Sequence, residues 1–180
     1  MMDSKQLQFD KSYLRMAGIW AKNSYCVRRQ VGALIVKDRS IISDGYNGTP
    51  CGFENVCEDD QGCTKPYVLH AEANAITKMA KSNNSSAGAT LYVTAAPCLE
   101  CAKLIIQSGI VRVVYRDAYR LTDGIELLER AGVVVEQIDA SRFFGFPNSR
   151  VGYIMSQQGG RYLSKNLYFT YTPLSNERTE

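Results

Sequence analysis

Residues 90–115, TLYVTAAPCLECAKLIIQSGIVRVVY, decide the fold of this chain. TLYVT at one end and VRVVY at the other are short runs rich in β-branched and aromatic residues, which is typical of strands. The segment between them begins at Pro97 and ends at Gly109, the usual start and stop residues of a helix. Strands that alternate with helices of this length predict an α/β sandwich whose central sheet is partly parallel.

The flanking segments extend the pattern in both directions. Apolar residues at helical spacing predict an amphipathic helix over about residues 9–23. The other predicted elements are a hairpin of strands at 31–37 and 40–46, a long loop at 47–67, a helix at 71–82, a helix at 122–132 and a strand at 133–138. Long loops inside compact domains tend to be functional.

Bulk composition limits which functions are expected. The length of 180 residues suits one domain, which we place at residues 1–138, and the aromatic-rich segment 139–180 breaks the pattern as an extension of unknown role. The first residues are charged and amphipathic, so neither a secretory signal nor a membrane span is expected, and we predict a cytoplasmic protein. A net charge of +3 without a dense Lys/Arg run gives no support to nucleic-acid binding.

A zinc site is predicted from one histidine and two cysteines. His70 is the only histidine, directly before an alanine-rich helical run, and Cys98 and Cys101 lie three apart at the start of the next helix. Both sulfurs can project from one face of that first turn, where the positive helix end favours thiolates. One imidazole and two thiolates suit Zn²⁺ and leave its fourth position to water, so we predict one catalytic ion between two helix N-termini.

Glu72 lies two positions after His70, and such residues point about 200° apart on a regular helix. Both can reach one metal only if His70 is at the helix entry and the ion lies over the helix end. Glu72 is then predicted to be the catalytic residue that moves protons from water to a ring nitrogen and a departing amine. H-x-E followed by P-C-x-x-C matches the known signature of zinc-dependent deaminases.

Each half of this pattern also has an ordinary explanation. A lone histidine before a helix is usually a capping or surface residue, and a lone C-x-x-C is often half of a structural zinc site or a redox pair. The presence of both halves, each before its own helix, favours catalytic zinc.

The chain resembles the deoxycytidylate (dCMP) deaminases over about residues 9–138. The resemblance rests on RRQVGALIV (28–36), DGYNGTP (44–50), HAEANAI (70–76), LYVTAAPCLECAKLIIQSGI (91–110) and VVYRDAYRLTDGIELLERAGV (113–133). It implies a three-layer α/β/α cytidine-deaminase-like fold with a central mixed five-stranded sheet. It also implies a hydrolase that converts dCMP to dUMP with release of ammonia, supplying dUMP for thymidylate synthesis. The resemblance further implies a homo-oligomer, commonly a hexamer, that is activated by dCTP and inhibited by dTTP.

Five residues are candidates for substrate contacts. Ser24, Arg28 and Arg29 precede the first strand, where a loop could present them to a 5′-phosphate, although exposed arginines are often only solvated. Asn47 carries an amide suited to a sugar hydroxyl or a base edge. The resemblance places Asn47 and Tyr119 in the substrate pocket.

The long loop is acidic and holds three further cysteines. Glu54, Glu58, Asp59 and Asp60 argue against a polynucleotide track, and they could bind Mg²⁺ with a nucleotide effector or form an ordinary solvated loop. Six cysteines could form disulfides, but in a reducing compartment such spacing more often means metal or catalysis. Cys51, Cys57 and Cys63 are expected to be free thiols, with a second, structural zinc as the alternative.

Two other classes of function stay open. One is another zinc deaminase, acting on dCTP, cytidine, guanine or tRNA adenosine. A cytidine or guanine deaminase would lack phosphate donors, and a tRNA adenosine deaminase would need a broad basic surface. The other is a non-catalytic, zinc-stabilised interaction domain, for which Glu72 would be unnecessary.

Overall fold

The computed structural model describes residues 4–119 and 121–138. The helices are α1 (Ser4–Trp20), α2 (Ala71–Met79), α3 (Leu99–Gln107) and α4 (Asp123–Arg130). The strands are β1 (Gly32–Lys37), β2 (Ser40–Tyr46), β3 (Thr90–Ala95), β4 (Arg112–Asp117) and β5 (Val134–Gln137). The predicted extension 139–180 lies outside the described residues, so its role and the domain boundary stay predictions.

The five strands form one mixed sheet in the order β2-β1-β3-β4-β5. β1 pairs antiparallel with both β2 and β3, whereas β3, β4 and β5 are parallel. The parallel half follows from the crossover helices α3 and α4, because a parallel connection needs a long return segment. The predicted mixed five-stranded sheet is confirmed.

Helices cover both faces of the sheet. On one face, α1 packs its buried side chains Tyr13, Leu14 and Ala17 against β1, β3 and β4. On the other face, α2, α3 and α4 enclose a larger apolar core, to which Ala75, Ile105 and Leu128 contribute. The three-layer α/β/α arrangement predicted from the sequence is therefore confirmed.

Two glycines allow helices to lie unusually close to the antiparallel half of the sheet. A Cβ atom on Gly32 would lie 2.1 Å from the carbonyl oxygen of Ala17 in α1, and one on Gly45 would lie 2.2 Å from that of Ala71 in α2. Carbon and oxygen do not approach so closely without repulsion. The glycines in β1 and β2 thus allow the short distance between the sheet and the helices α1 and α2. One of these helices, α2, directly follows His70.

Element boundaries differ from the predicted ones by a few residues. α1 begins at Ser4 rather than near residue 9, and a short 3-10 turn continues it over Ala21–Asn23. α3 begins at Leu99, two residues after Pro97, because Cys98 keeps an extended backbone at the N-cap. Within the described ranges, no helix is both long and apolar enough to cross a membrane.

Candidate active site

Three side chains that are distant in sequence converge at the N-termini of α2 and α3. His70 and Cys98 are the N-cap residues of these helices, both with extended backbones, and Cys101 lies in the first turn of α3. The sulfurs of Cys98 and Cys101 each lie 3.4 Å from Nδ1 of His70. The predicted position of His70 at a helix entry is confirmed, and two helix ends do converge on one point.

The separations within this group fit a zinc ion. Zn–N bonds of about 2.0 Å and Zn–S bonds of about 2.3 Å at a tetrahedral angle place nitrogen and sulfur about 3.5 Å apart. The observed 3.4 Å is close to that value, and one donor atom from each of the three residues lies within 4.8 Å of the others. Across residues 4–119 and 121–138, this is the one such group of three or more candidate ligands.

The charges in the group also favour a cation. Hydrogen bonds with Cys101 and His70 hold the pKa of the Cys98 thiol far below its usual range. The Cys98 sulfur in turn raises the pKa of His70, and the same sulfur together with burial raises the pKa of Cys101. Without a cation, the neighbouring thiolate therefore opposes ionisation of the second thiol. A divalent ion would remove this conflict, because it stabilises both thiolates.

Glu72 lies in the first turn of α2, close to His70 and Cys101. It is only 4% exposed, and burial raises the pKa of its carboxyl to about 7 even though the nearby His70 lowers it. A carboxyl with a pKa near neutrality can both accept and return a proton at physiological pH. The structure brings Glu72 to the site that the sequence predicted, and its catalytic role stays a prediction.

A cavity of about 350 Å³ opens over this group. This volume lies within the range of small-molecule sites. Its lining includes His70, Glu72 and Cys98. It also includes the predicted substrate residues Arg28, Arg29, Asn47 and Tyr119. The sequence analysis missed several other lining residues, namely Cys26, Val31, Glu58, Thr64, Val68, Ala71, Ala95 and Ala96.

The two arginines are held in the cavity wall. The Arg29 guanidinium lies 3.6 Å from the Asp117 carboxylate at the end of β4 and 5.9 Å from the centre of the Tyr119 ring. Nη1 of Arg28 lies 3.5 Å from the hydroxyl of Thr64, at the outer limit of a hydrogen bond. Both arginines therefore stand where they could meet an anionic part of a ligand.

The structure gives Asn47 a role that the sequence analysis did not predict. Its Nδ2 donates to the carbonyl of Arg29 over 2.8 Å, and its Oδ1 accepts from the N–H of Val31 over 2.7 Å. The amide thus fixes the backbone that carries Arg29, while one N–H and one lone pair remain for a ligand.

The placement of Ser24 does not support the predicted phosphate contact. Ser24 is 4% exposed and is not among the residues that line the cavity. Its hydroxyl donates to the carbonyl of Asn47 over 2.6 Å and accepts from the N–H of Cys26. Ser24 is the C-cap of the 3-10 turn, and its backbone N–H donates to the carbonyl of Ala21.

The expectation of free thiols in the long loop is wrong for Cys57. Cys57 forms a disulfide with Cys26, with the two Cα atoms 5.1 Å apart, because the long loop folds back beside the segment before β1. Cys51 and Cys63 are exposed free thiols. No metal-ligand group within the described residues includes a cysteine of this loop, so the alternative of a second zinc gains no support.

Comparison with known proteins identifies similar molecules. The model of the cytidine and deoxycytidylate deaminase zinc-binding region matches residues 7–117. The crystal structure of dCMP deaminase from cyanophage S-TIM5, in complex with dCMP and dUMP, aligns with a TM-score of 0.71 and 45% identity, covering 77% of this chain and all of that one.

Curated sequences agree with this structural match. The deoxycytidylate deaminase of Mycobacterium phage D29 is 40% identical over 121 residues, covering 59% of this chain and 93% of that one. ComE operon protein 2 of Bacillus subtilis is 36% identical over 141 residues, covering 75% and 74%. The match spans only 44% of the longer deoxycytidylate deaminase of Saccharomyces cerevisiae, with 34% identity and 72% of this chain covered.

Proposed function

The chain belongs to the cytidine and deoxycytidylate deaminase family, and on this premise we propose that it hydrolyses dCMP to dUMP and ammonia. The resemblance to dCMP deaminases predicted from the sequence is confirmed, as is the assignment to a family of zinc-binding hydrolases. One observation carries the proposal: His70 and Cys98 of the His-Cys-Cys group line one cavity together with a buried carboxylate and two arginines.

His70, Cys98 and Cys101 would hold the zinc ion, which supplies a Lewis acid that lowers the pKa of water. Glu72 then accepts a proton from the attacking water and delivers it to the ring nitrogen next to the reacting carbon. The water oxygen bonds to that ring carbon, and the same carboxylate carries the remaining proton of the added hydroxyl group to the amino group. The C–N bond then breaks with release of ammonia, and the oxygen stays on the carbon as a carbonyl. The pKa of Glu72 near 7 suits both directions of transfer.

The substrate end of the cavity suits a nucleoside monophosphate. Arg28 and Arg29 offer guanidinium groups that can bind phosphate oxygens in pairs. Asn47 retains a donor and an acceptor for the sugar or the base, and Tyr119 offers an aromatic face beside Arg29. Two arginines at one cavity favour a small nucleotide as the ligand. A polynucleotide would need a broad basic surface.

The finer parts of the proposal rest on the family alone. They are a single zinc ion per chain, a cytoplasmic homo-oligomer, commonly a hexamer, activation by dCTP and inhibition by dTTP with Mg²⁺, and supply of dUMP for thymidylate synthesis. Regulation has a direct test: dCTP should lower and dTTP should raise the dCMP concentration that gives half-maximal rate. If neither nucleotide shifts the substrate curve, regulation is not a property of this chain.

The decisive experiment is ammonia release from dCMP, dCTP, CMP, cytidine and adenosine, each incubated separately with the zinc-loaded protein. We expect dCMP to be turned over best. Glu72→Gln should keep its zinc and lose about 100- to 10,000-fold in turnover, the usual contribution of a general acid–base group.

Glu100→Gln is the matched control. Glu100 also lies in the first turn of a helix, but its side chain is 75% exposed and pairs with Lys103, so activity should not change. If no substrate releases ammonia from the folded, zinc-bound protein, a non-catalytic interaction domain is the better description. A Glu72→Gln variant with most of the wild-type activity would reject the proposed proton transfer.

A further inference from the structure

Glu58 makes an unusual contact with the segment that carries the two arginines. Its Oε1 accepts the backbone N–H groups of both Val27 and Arg28, each over 3.1 Å. Glu58 also lines the cavity together with Arg28 and Arg29. One carboxylate oxygen thus joins the long loop to the backbone of the arginine segment, about thirty residues earlier in the chain.

The side chains of Arg28 and Arg29 contact Thr64 and Asp117, but the backbone of the arginine segment has few other restraints at this point. Val27 is 88% exposed and Arg28 is exposed, so burial does not fix their backbone. The segment is tied at its start by the Cys26–Cys57 disulfide and at its end by the side chain of Asn47. Between these two ties, Glu58 holds the N–H groups of the two consecutive residues that lead into Arg29.

The loop that carries Glu58 is itself well ordered by hydrogen bonds. Glu58 and Thr64 form an antiparallel bridge, flanked by a hydrogen bond from the N–H of Lys65 to the carbonyl of Cys57 over 2.8 Å. The Asp59 carboxylate accepts the N–H of Cys63 over 2.8 Å and closes the turn. Glu58 therefore projects from a small hairpin that can serve as a fixed support.

We propose that Glu58 is a positioning residue that holds Arg28 and Arg29 ready for the 5′-phosphate of the substrate. The inference rests on the proposed function, because it takes a nucleoside monophosphate as the ligand. Fixing the backbone of a loop residue in one conformation costs conformational entropy. If the fold has already ordered the segment, phosphate binding does not have to supply that free energy.

The alternative is that Glu58 is merely an acidic group in the cavity wall. A free carboxylate near a phosphate would repel it, and its removal would then tighten binding of dCMP. A positioning carboxylate, whose oxygen is occupied by two N–H groups, has the opposite effect when it is removed. The two explanations predict changes of opposite sign.

The test compares Glu58→Ala and Glu58→Gln with wild type in the zinc-loaded full chain. It measures KM and kcat for dCMP, and the inhibition constant of deoxycytidine, which lacks the phosphate. Asp60→Ala is the matched control, because Asp60 is exposed in the same loop and makes no hydrogen bond or ion pair within residues 4–119 and 121–138.

We expect Glu58→Ala to raise KM for dCMP about 10- to 100-fold, the usual effect of losing hydrogen bonds to a charged group. kcat and the inhibition constant of deoxycytidine should stay within about twofold, because they do not depend on the phosphate. Glu58→Gln keeps a side-chain oxygen acceptor and should stay within about threefold of wild type in KM. Asp60→Ala should match wild type.

Three results would overturn the positioning role. They are a KM for dCMP more than about threefold below that of wild type in either Glu58 variant, a KM in Glu58→Ala equal to that of Asp60→Ala, and a loss that affects deoxycytidine equally. Should Glu58→Ala not fold, Glu58→Gln still decides, since repulsion predicts a lower KM and positioning does not. If the wild-type protein does not turn over dCMP, the proposed function itself is rejected. The same assay shows this before any variant is measured.

Discussion

Replacing Gly124 with alanine should disturb the zinc site from a distance. Gly124 lies in the first turn of α4 and packs against the turn that carries Cys98. A Cβ atom at this position would lie 2.2 Å from the carbonyl oxygen of Pro97 and 2.8 Å from the carbonyl carbon of Cys98. Both contacts are with backbone, which cannot rotate away as a side chain can.

The size of the effect follows from these distances. The contact with Pro97 must lengthen by about 1.2 Å to reach 3.4 Å, the lower limit of ordinary van der Waals contact. Either α4 or the turn before α3 must therefore move. Overpacking of this kind costs about 1–3 kcal/mol of unfolding free energy. A displacement of about 1 Å at a catalytic group can lower turnover about 100-fold.

Three measurements check this prediction. They are the unfolding free energy from urea denaturation, zinc affinity from competition with a chelator, and the rate of ammonia release from dCMP. Gly18→Ala is the control, because its Cβ would meet only the flexible end of Arg116 at 3.2 Å and alanine is favoured within a helix. Wild-type stability, zinc affinity and turnover in Gly124→Ala would refute the reasoning.

Three further predictions concern the metal site and a buried ion pair. Cys98→Ser should weaken zinc binding more than about 100-fold, because one of two thiolates is lost, and metal analysis after dialysis would show it. Arg112→Met should lower the unfolding free energy by about 3–5 kcal/mol, because the fully buried Asp10 loses its bidentate partner at 2.8 and 2.9 Å; calorimetry checks this loss. Although burial opposes it, hydrogen bonds from Arg112, Tyr92 and Gln6 hold the pKa of Asp10 below its usual 3.8. As the pH falls, the carboxyl of Asp10 therefore takes up its proton more readily in the unfolded chain than in the folded one. The unfolding free energy should fall as the pH drops below about 4, and it should fall less steeply with pH in Asp10→Asn.

Local patterns predicted most of the fold. The sequence predicts each strand and helix within a few residues of its observed position. The predicted β1–β2 hairpin turns at Asp38 and Arg39, which both have positive φ. The start of α1 was the largest difference, because residues 4–8 are mostly polar and exposed on the helix and therefore carry little periodic signal.

The candidate site was also largely predictable, but the network that supports it was not. His70, Glu72, Cys98 and Cys101 stand in two short motifs whose spacing depends only on the geometry of helix N-termini. By contrast, the contacts that Asn47, Glu58 and Cys57 make with the segment 26–31 join residues 16 to 31 positions apart. Sequence spacing holds no information about such contacts, because they depend on how a loop folds back.

The sequence by itself therefore determined the α/β pattern and identified the candidate zinc ligands and the candidate acid–base carboxylate, since each rests on residue types at helical or strand periods. Only the tertiary structure decided that Ser24 is buried, that Cys26 pairs with Cys57, and that Glu58 and Asn47 hold the arginine segment. The physical reason is that backbone donors and acceptors in a loop take partners from whatever the folded chain brings within about 3 Å. That neighbourhood is set by the packing of α1 and α2 on the sheet, and it exists only once the whole domain has folded.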